Sequence, residues 1–93
     1  MHEVTVTALE ELRFRVDVAE GGRARSAHTV TVPRDLLDDL SIAPAGAERL
    51  VRESFAFLLE REPPSQILRE FDLDVIERYF PEYRTEIVGR IAN

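Results

Sequence analysis

The sequence predicts an α+β domain in which a three-stranded antiparallel meander precedes a long amphipathic helix and two to three short C-terminal helices (β-β-β-α-α-α). Apolar and polar residues alternate over the first thirty positions, the pattern of half-buried strands. Between residues 45 and 61 the apolar residues recur every three or four positions, as in a helix that packs one side against other elements. A helix of that kind is the cover that the apolar face of the meander needs.

The length of 93 residues predicts one domain, 1–93, because a chain of this size has room for one hydrophobic core. The change from period two to a helical period divides it into a β-meander over residues 1–33 and a helical part over residues 34–93.

The three strands follow from the alternation of their side chains. In the first, Val4 and Val6 alternate with threonines, and the second has one apolar face formed by Leu12, Phe14, Val16 and Val18. Gly21-Gly22 predicts a tight hairpin turn, because glycine accepts positive φ. The third strand, Arg25 to Val32, again alternates valine with threonine. The first turn, residues 9–11, has no Gly, Asn or Pro, so the sequence leaves its register open.

Prolines mark the first helices. Pro33 ends the third strand and begins a short helix through Leu40, since a helix start does not need its first amide hydrogen. The main helix is predicted from about Ala45 to Arg61, with its inward positions at Ala47, Leu50, Val51, Ser54, Phe55, Leu58 and Leu59. Glu62 ends it, because the residue before a proline avoids the helical conformation.

Short helices are predicted for the remainder. The first of them covers Pro64 to Glu70. The next opens at Asp74, where Glu77 three residues later predicts a reciprocal capping box. Pro81 either kinks this helix or begins a last one, whose apolar side consists of Tyr83, Ile87, Val88 and Ile91.

Composition excludes several classes of protein. The net charge of −6 argues against a generic binder of nucleic-acid backbone, which a polyanion would repel. No apolar run approaches the length of a membrane span, and the N-terminal residues do not form a secretory signal. With no cysteine, the chain has neither disulfides nor thiol chemistry. These observations predict a cytoplasmic protein without membrane association.

No group of residues has the spacing of a catalytic, metal or cofactor site. His28 lies on the apolar side of its strand, and no Ser-His-Asp or His-x-x-x-His spacing accompanies it. The carboxylates are interpreted as helix caps and solvated faces, since Asp72-Leu73-Asp74 lacks the glycine and further ligands of a calcium loop. The sequence therefore predicts no catalytic residue, metal ligand or cofactor, and a protein that is not an enzyme.

A surplus of aromatic residues in the C-terminal half suggests a surface for protein contacts. A domain this small has limited core volume, so part of the cluster is expected at the surface, where apolar patches mark interaction sites. The leading hypothesis is a non-enzymatic protein-interaction or regulatory module, whose partner is another protein or a second copy. The interface is predicted at Phe57, Tyr79, Phe80 and Tyr83.

Two alternatives stay open. One is a nucleic-acid-binding regulator that uses the arginine- and threonine-rich face of the sheet, because strands can place arginines in a groove. Its contacts would be Arg13, Arg15, Arg23 and Arg25. The other is a small-ligand binder or enzyme with a pocket near His28, which requires convergent polar groups around a concave site.

The C-terminal half also carries a string of short motifs. They comprise Phe57 to Pro63 (FLLEREP), Ile67-Leu68, Phe71 to Leu73 (FDL), Ile76 and Tyr79 to Tyr83 (YFPEY). In these motifs the chain resembles a group of short bacterial proteins in which a β-rich first third precedes a helical region. The resemblance implies a bacterial cytoplasmic protein. It implies no activity and no catalytic residues, because none is established for the group.

Overall fold

The structure, a computed structural model, describes residues 2–92. It is an α+β fold with one mixed four-stranded sheet. The strands are β1 (His2–Glu10), β2 (Arg13–Glu20), β3 (Arg23–Thr31) and β4 (Glu70–Asp72), and the helices are α1 (Arg34–Leu40), α2 (Ala47–Leu59), α3 (Ile76–Tyr79) and α4 (Tyr83–Ala92). The strand order is β1-β2-β3-β4.

The first three strands form the predicted antiparallel meander. Gly21 and Gly22 make its second turn with φ of 58° and 79°, the left-handed conformation that glycine adopts without steric cost. Leu12 occupies the same region in the first turn, with φ of 58°. The turn has no Gly or Asn that would adopt this conformation at little cost. The Leu12 side chain is buried, and this hydrophobic burial offsets the steric cost of its backbone conformation.

The prediction of a helix over Pro64 to Glu70 is wrong. A single 3₁₀ turn, Pro64–Gln66, is followed by β4, which pairs parallel with β3. The Thr29 amide donates to the carbonyl of Arg69 at 2.7 Å, so this segment satisfies backbone groups that β3 would otherwise leave exposed at its edge. Pairing with a distant strand therefore prevails over the local apolar spacing.

Helix α2 is the central element of the core. It begins at Ala47 after a 3₁₀ turn, Pro44–Gly46, two residues later than predicted and two residues shorter at its end. Phe55 packs against strands β3 and β4 of the sheet, with its ring centroid 5.2 Å from that of His28 and 6.1 Å from that of Phe71. The buried side chains of the meander and of α2 belong to one continuous cluster.

The C-terminal segments differ from the prediction in detail. Pro81 separates α3 from α4, so the last helix is a separate element. The capping box predicted at Asp74 is absent, since no side-chain cap bond forms at this end. The Glu77 carboxylate instead accepts a hydrogen bond from Arg84 Nε at 2.6 Å. A charged donor from α4 makes a stronger bond than a neutral backbone amide.

Candidate functional site

His28 lies beneath the sheet with only 2% of its surface exposed. Its place in β3, opposite Val16, directs the side chain toward α2, where it meets the ring of Phe55. A buried imidazole needs partners for both ring nitrogens. Its surroundings supply them.

The two partners of His28 fix its tautomer. Nδ1 lies 2.7 Å from the carbonyl oxygen of Leu68, which only accepts, so Nδ1 carries the proton. Nε2 lies 2.7 Å from the Ser26 hydroxyl, which therefore donates to it. Burial lowers the pKa of His28 below its ordinary value, and Arg69 acts in the same direction, so the ring is neutral near pH 7.

A cleft opens beside this pair, between the first half of β3 and the segment that leads to β4. Its volume is about 370 Å³, and it is lined by Arg25, Ser26, Ala27, His28, Pro64, Ser65, Ile67 and Arg69. Within residues 2–92, none of the lining side chains is acidic, although the chain has eighteen acidic residues. The cleft is therefore a local positive region on an acidic protein.

The two arginines of the cleft differ in their pairing. Arg25 lies 3.3 Å from the carboxylate of Glu20, which also lines an adjoining hollow of about 340 Å³. Arg69 pairs with no carboxylate in the described part of the chain. Its guanidinium is thus the cation that a ligand would reach without displacing a partner.

A second concave region, the aromatic groove, lies on the other side of the same segment. It is lined by Glu62, Gln66, Leu68, Tyr79 and Phe80, with a volume of about 390 Å³. Tyr79 is 67% exposed and Leu68 is 48% exposed. Burial raises the pKa of the Glu62 carboxyl, which forms no ion pair among residues 2–92.

The structure divides the four predicted interface residues. Phe57 and Tyr83 have no exposed surface, because Phe57 packs edge-on against Tyr83 at 5.4 Å and the Arg61 guanidinium covers its ring at 3.6 Å. These two are core residues, and their assignment to an interface is corrected. Phe80 is half-buried and Tyr79 is exposed, so the groove retains only this pair.

Most of the arginines proposed for nucleic-acid contact are already paired. Arg13 contacts the carboxylates of Glu10 and Glu70 at 3.2 and 3.4 Å, and Arg15 contacts Asp17 at 3.0 Å. Arg25 is paired within the hairpin, whereas Arg23 is exposed. Intramolecular carboxylates thus reduce the positive field that backbone phosphates would require.

Spacing could have indicated one part of the cleft in advance. Ser26 and His28 are two residues apart on one strand, so they share a face of the sheet. Leu68 and Arg69 come from the other half of the chain and are brought to His28 by the parallel pairing of β4, which the sequence did not predict.

Three comparisons with known proteins give no relative. Neither a known protein family, nor a curated protein, nor a solved structure matches this chain. In the described range, no group of three or more metal-binding side chains converges, and no helix combines the length and the apolar character required to cross a bilayer. The cleft beside His28 and the aromatic groove are the candidate functional sites.

Proposed function

We propose that the protein is a non-enzymatic interaction module of the bacterial cytoplasm, which binds a basic, apolar segment of a partner protein in the aromatic groove. The observation that carries the proposal is the exposure of Tyr79 and Leu68, 67% and 48%, in a groove that also contains the Glu62 carboxylate. The resemblance to short bacterial proteins and the absence of cysteine support the compartment.

The exposed apolar side chains of the groove favour binding of a partner. Burying a large apolar side chain is worth about 1.5–3 kcal/mol, and tyrosine is enriched at interface centres because it combines apolar area with a polar end. Tyr79 projects from a four-residue helix whose Ile76 is buried. The scaffold therefore anchors the helix and leaves Tyr79 available to a partner.

The charge of the groove favours a basic partner. The Glu62 carboxylate is partly desolvated and forms no ion pair in the part of the chain that the structure describes, so an arginine or lysine from a partner would stabilise its charged form. The same cation would be attracted to the face of the Tyr79 ring. A second copy of this chain, with net charge −6, is repelled at long range, whereas a basic segment is attracted.

Selection from a random peptide display library tests the proposal. Peptides that combine arginine or lysine with large apolar residues are expected, and Tyr79→Ser and Leu68→Ser should each weaken their binding about tenfold or more, as the loss of one interface anchor does. Val88→Ser is the matched control, because Val88 is also 48% exposed but lies on α4 outside the groove.

The result is decisive in either direction. Enrichment of basic, apolar peptides that bind the Val88→Ser protein and lose affinity for the Leu68→Ser protein supports the proposal. Acidic peptides, peptides insensitive to both groove variants, or no enrichment would overturn it.

A further inference from the structure

The positively lined cleft beside His28 is separate from the aromatic groove, although the same segment forms one wall of each. Pro64, Ser65, Ile67 and Arg69 face the cleft, whereas Glu62, Gln66 and Leu68 face the groove. The two sites therefore differ in charge and share no lining residue.

Hydrogen-bond donors converge on the cleft. Arg69 contributes a guanidinium that pairs with no carboxylate within residues 2–92, and Arg25 contributes a second one, which also contacts the carboxylate of Glu20 at 3.3 Å. The Thr29 amide points toward Arg69, to whose carbonyl it donates. Backbone groups two residues apart on a strand point in the same direction, so the Ala27 amide is directed to the open edge where the cleft lies.

We infer that this cleft binds a small oxyanion, a carboxylate or a phosphate group, held between the guanidinium groups of Arg25 and Arg69. Guanidinium presents a planar fork of donors that matches both groups. A volume of about 370 Å³ is that of a small-molecule site. The absence of acidic lining residues removes the repulsion that an anion would meet elsewhere on this surface.

The His28–Ser26 pair gives the site a pH dependence. With neutral His28, the Ser26 hydroxyl donates to Nε2 and offers the cleft only lone pairs. When Nε2 takes a proton it becomes the donor, so Ser26 is released to donate to the anion. The charged groups that act on His28 are Arg69 beside the cleft and Asp17 on the opposite face of β2, while α2 presents the uncharged ring of Phe55. Anion binding should therefore strengthen as pH falls.

Backbone-amide NMR titration with sulfate and with acetate tests the inference, with chloride at equal ionic strength as the reference. Sulfate stands in for a phosphate group, and its charge stays constant while His28 titrates. Shifts are expected at Ala27, Ser65 and Arg69. A larger response to sulfate identifies a phosphate ligand, and a larger response to acetate identifies a carboxylate.

Two arginine variants make the test specific. Arg69→Gln should weaken binding of the preferred anion about tenfold or more, the effect of losing one charged hydrogen bond. Arg23→Gln should leave binding unchanged, because Arg23 is exposed in the same hairpin but does not line the cleft. The preferred anion should also raise the pH at which the His28 ring protons titrate.

Equal effects of the two variants would show non-specific attraction and overturn the inference. An absence of shifts at the cleft with both anions would do the same. Neither outcome bears on the aromatic groove, whose test uses different residues and a cationic probe.

Discussion

A buried hydrogen bond joins the two longest helices of the protein. The Ser54 hydroxyl on α2 lies 2.7 Å from the Tyr83 hydroxyl on α4, and both side chains have no exposed surface. Within the described residues no buried side-chain polar atom lacks a partner. Removing the serine hydroxyl therefore leaves the tyrosine hydroxyl buried and unpaired, which costs more than the net value of the bond itself.

The two single variants should differ in magnitude. In Ser54→Ala the Tyr83 hydroxyl stays behind without an acceptor, so the free energy of unfolding should fall by about 2 kcal/mol. In Tyr83→Phe the remaining serine can rotate to the carbonyl of Leu50 one turn earlier, and the loss should be about 1 kcal/mol. The double variant has no orphaned hydroxyl, so it should lose about 1–2 kcal/mol, less than the sum of the single changes.

Urea unfolding of the four proteins, fitted with a shared m-value, measures this cycle. A coupling free energy of about 1–2 kcal/mol between the two positions is expected. Additive losses, or a smaller loss in Ser54→Ala than in Tyr83→Phe, would show that the bond does not determine the stability of this contact.

Further predictions concern the core, the turns and alkaline pH. Phe57→Ala should lower the free energy of unfolding by about 3–5 kcal/mol, measured by denaturation, because the ring is fully buried; a loss below that of Ser54→Ala would contradict it. Gly22→Ala and Gly89→Ala should have opposite signs, although an added Cβ meets no atom at either position. Gly22 has φ of 79° and its change should lower the melting temperature, whereas Gly89 lies inside α4 and its change should raise stability by about 0.5–1 kcal/mol; equal signs would refute this. Burial raises the pKa of Tyr83 to about 12, so the unfolded chain loses this proton at lower pH than the folded protein. Stability should be unaffected below about pH 10 and fall by roughly 2–3 kcal/mol toward pH 12, a loss that Tyr83→Phe removes and that unfolding curves at each pH would detect.

Several elements could be predicted because their signals are local. The alternation around Val16 and Val30, and the conformational freedom of Gly21-Gly22, depend on residues adjacent in the chain, so the meander and its second turn followed directly. The same holds for Pro33 at the start of α1 and for the apolar spacing of α2. The sequence does not specify the first turn, because its left-handed residue is Leu12. Burial of the leucine side chain offsets the steric cost of this conformation, which the residue type itself does not favour.

The sequence predicts the candidate sites only in part. Tyr79 was predicted at a surface because aromatic residues exceeded the expected core, yet its neighbours Phe57 and Tyr83 proved to be the buried members. Helical spacing alone does not distinguish the buried aromatic residues from the exposed one. Phe57 is covered by the guanidinium of Arg61, and Tyr83 is bonded to the hydroxyl of Ser54 on a different helix.

The amino-acid order by itself determined the β-meander, the principal helix and the acidic character of the protein, since each arises from short-range periodicity or from simple counts. Tertiary structure alone decided that residues 70–72 extend the sheet. This pairing brings Leu68 and Arg69 next to Ser26 and His28, which lie some forty positions earlier in the chain. The physical reason is that a strand edge has unsatisfied amides and carbonyls along its length, and the segment that pairs with them is selected by three-dimensional packing rather than by its own local preference.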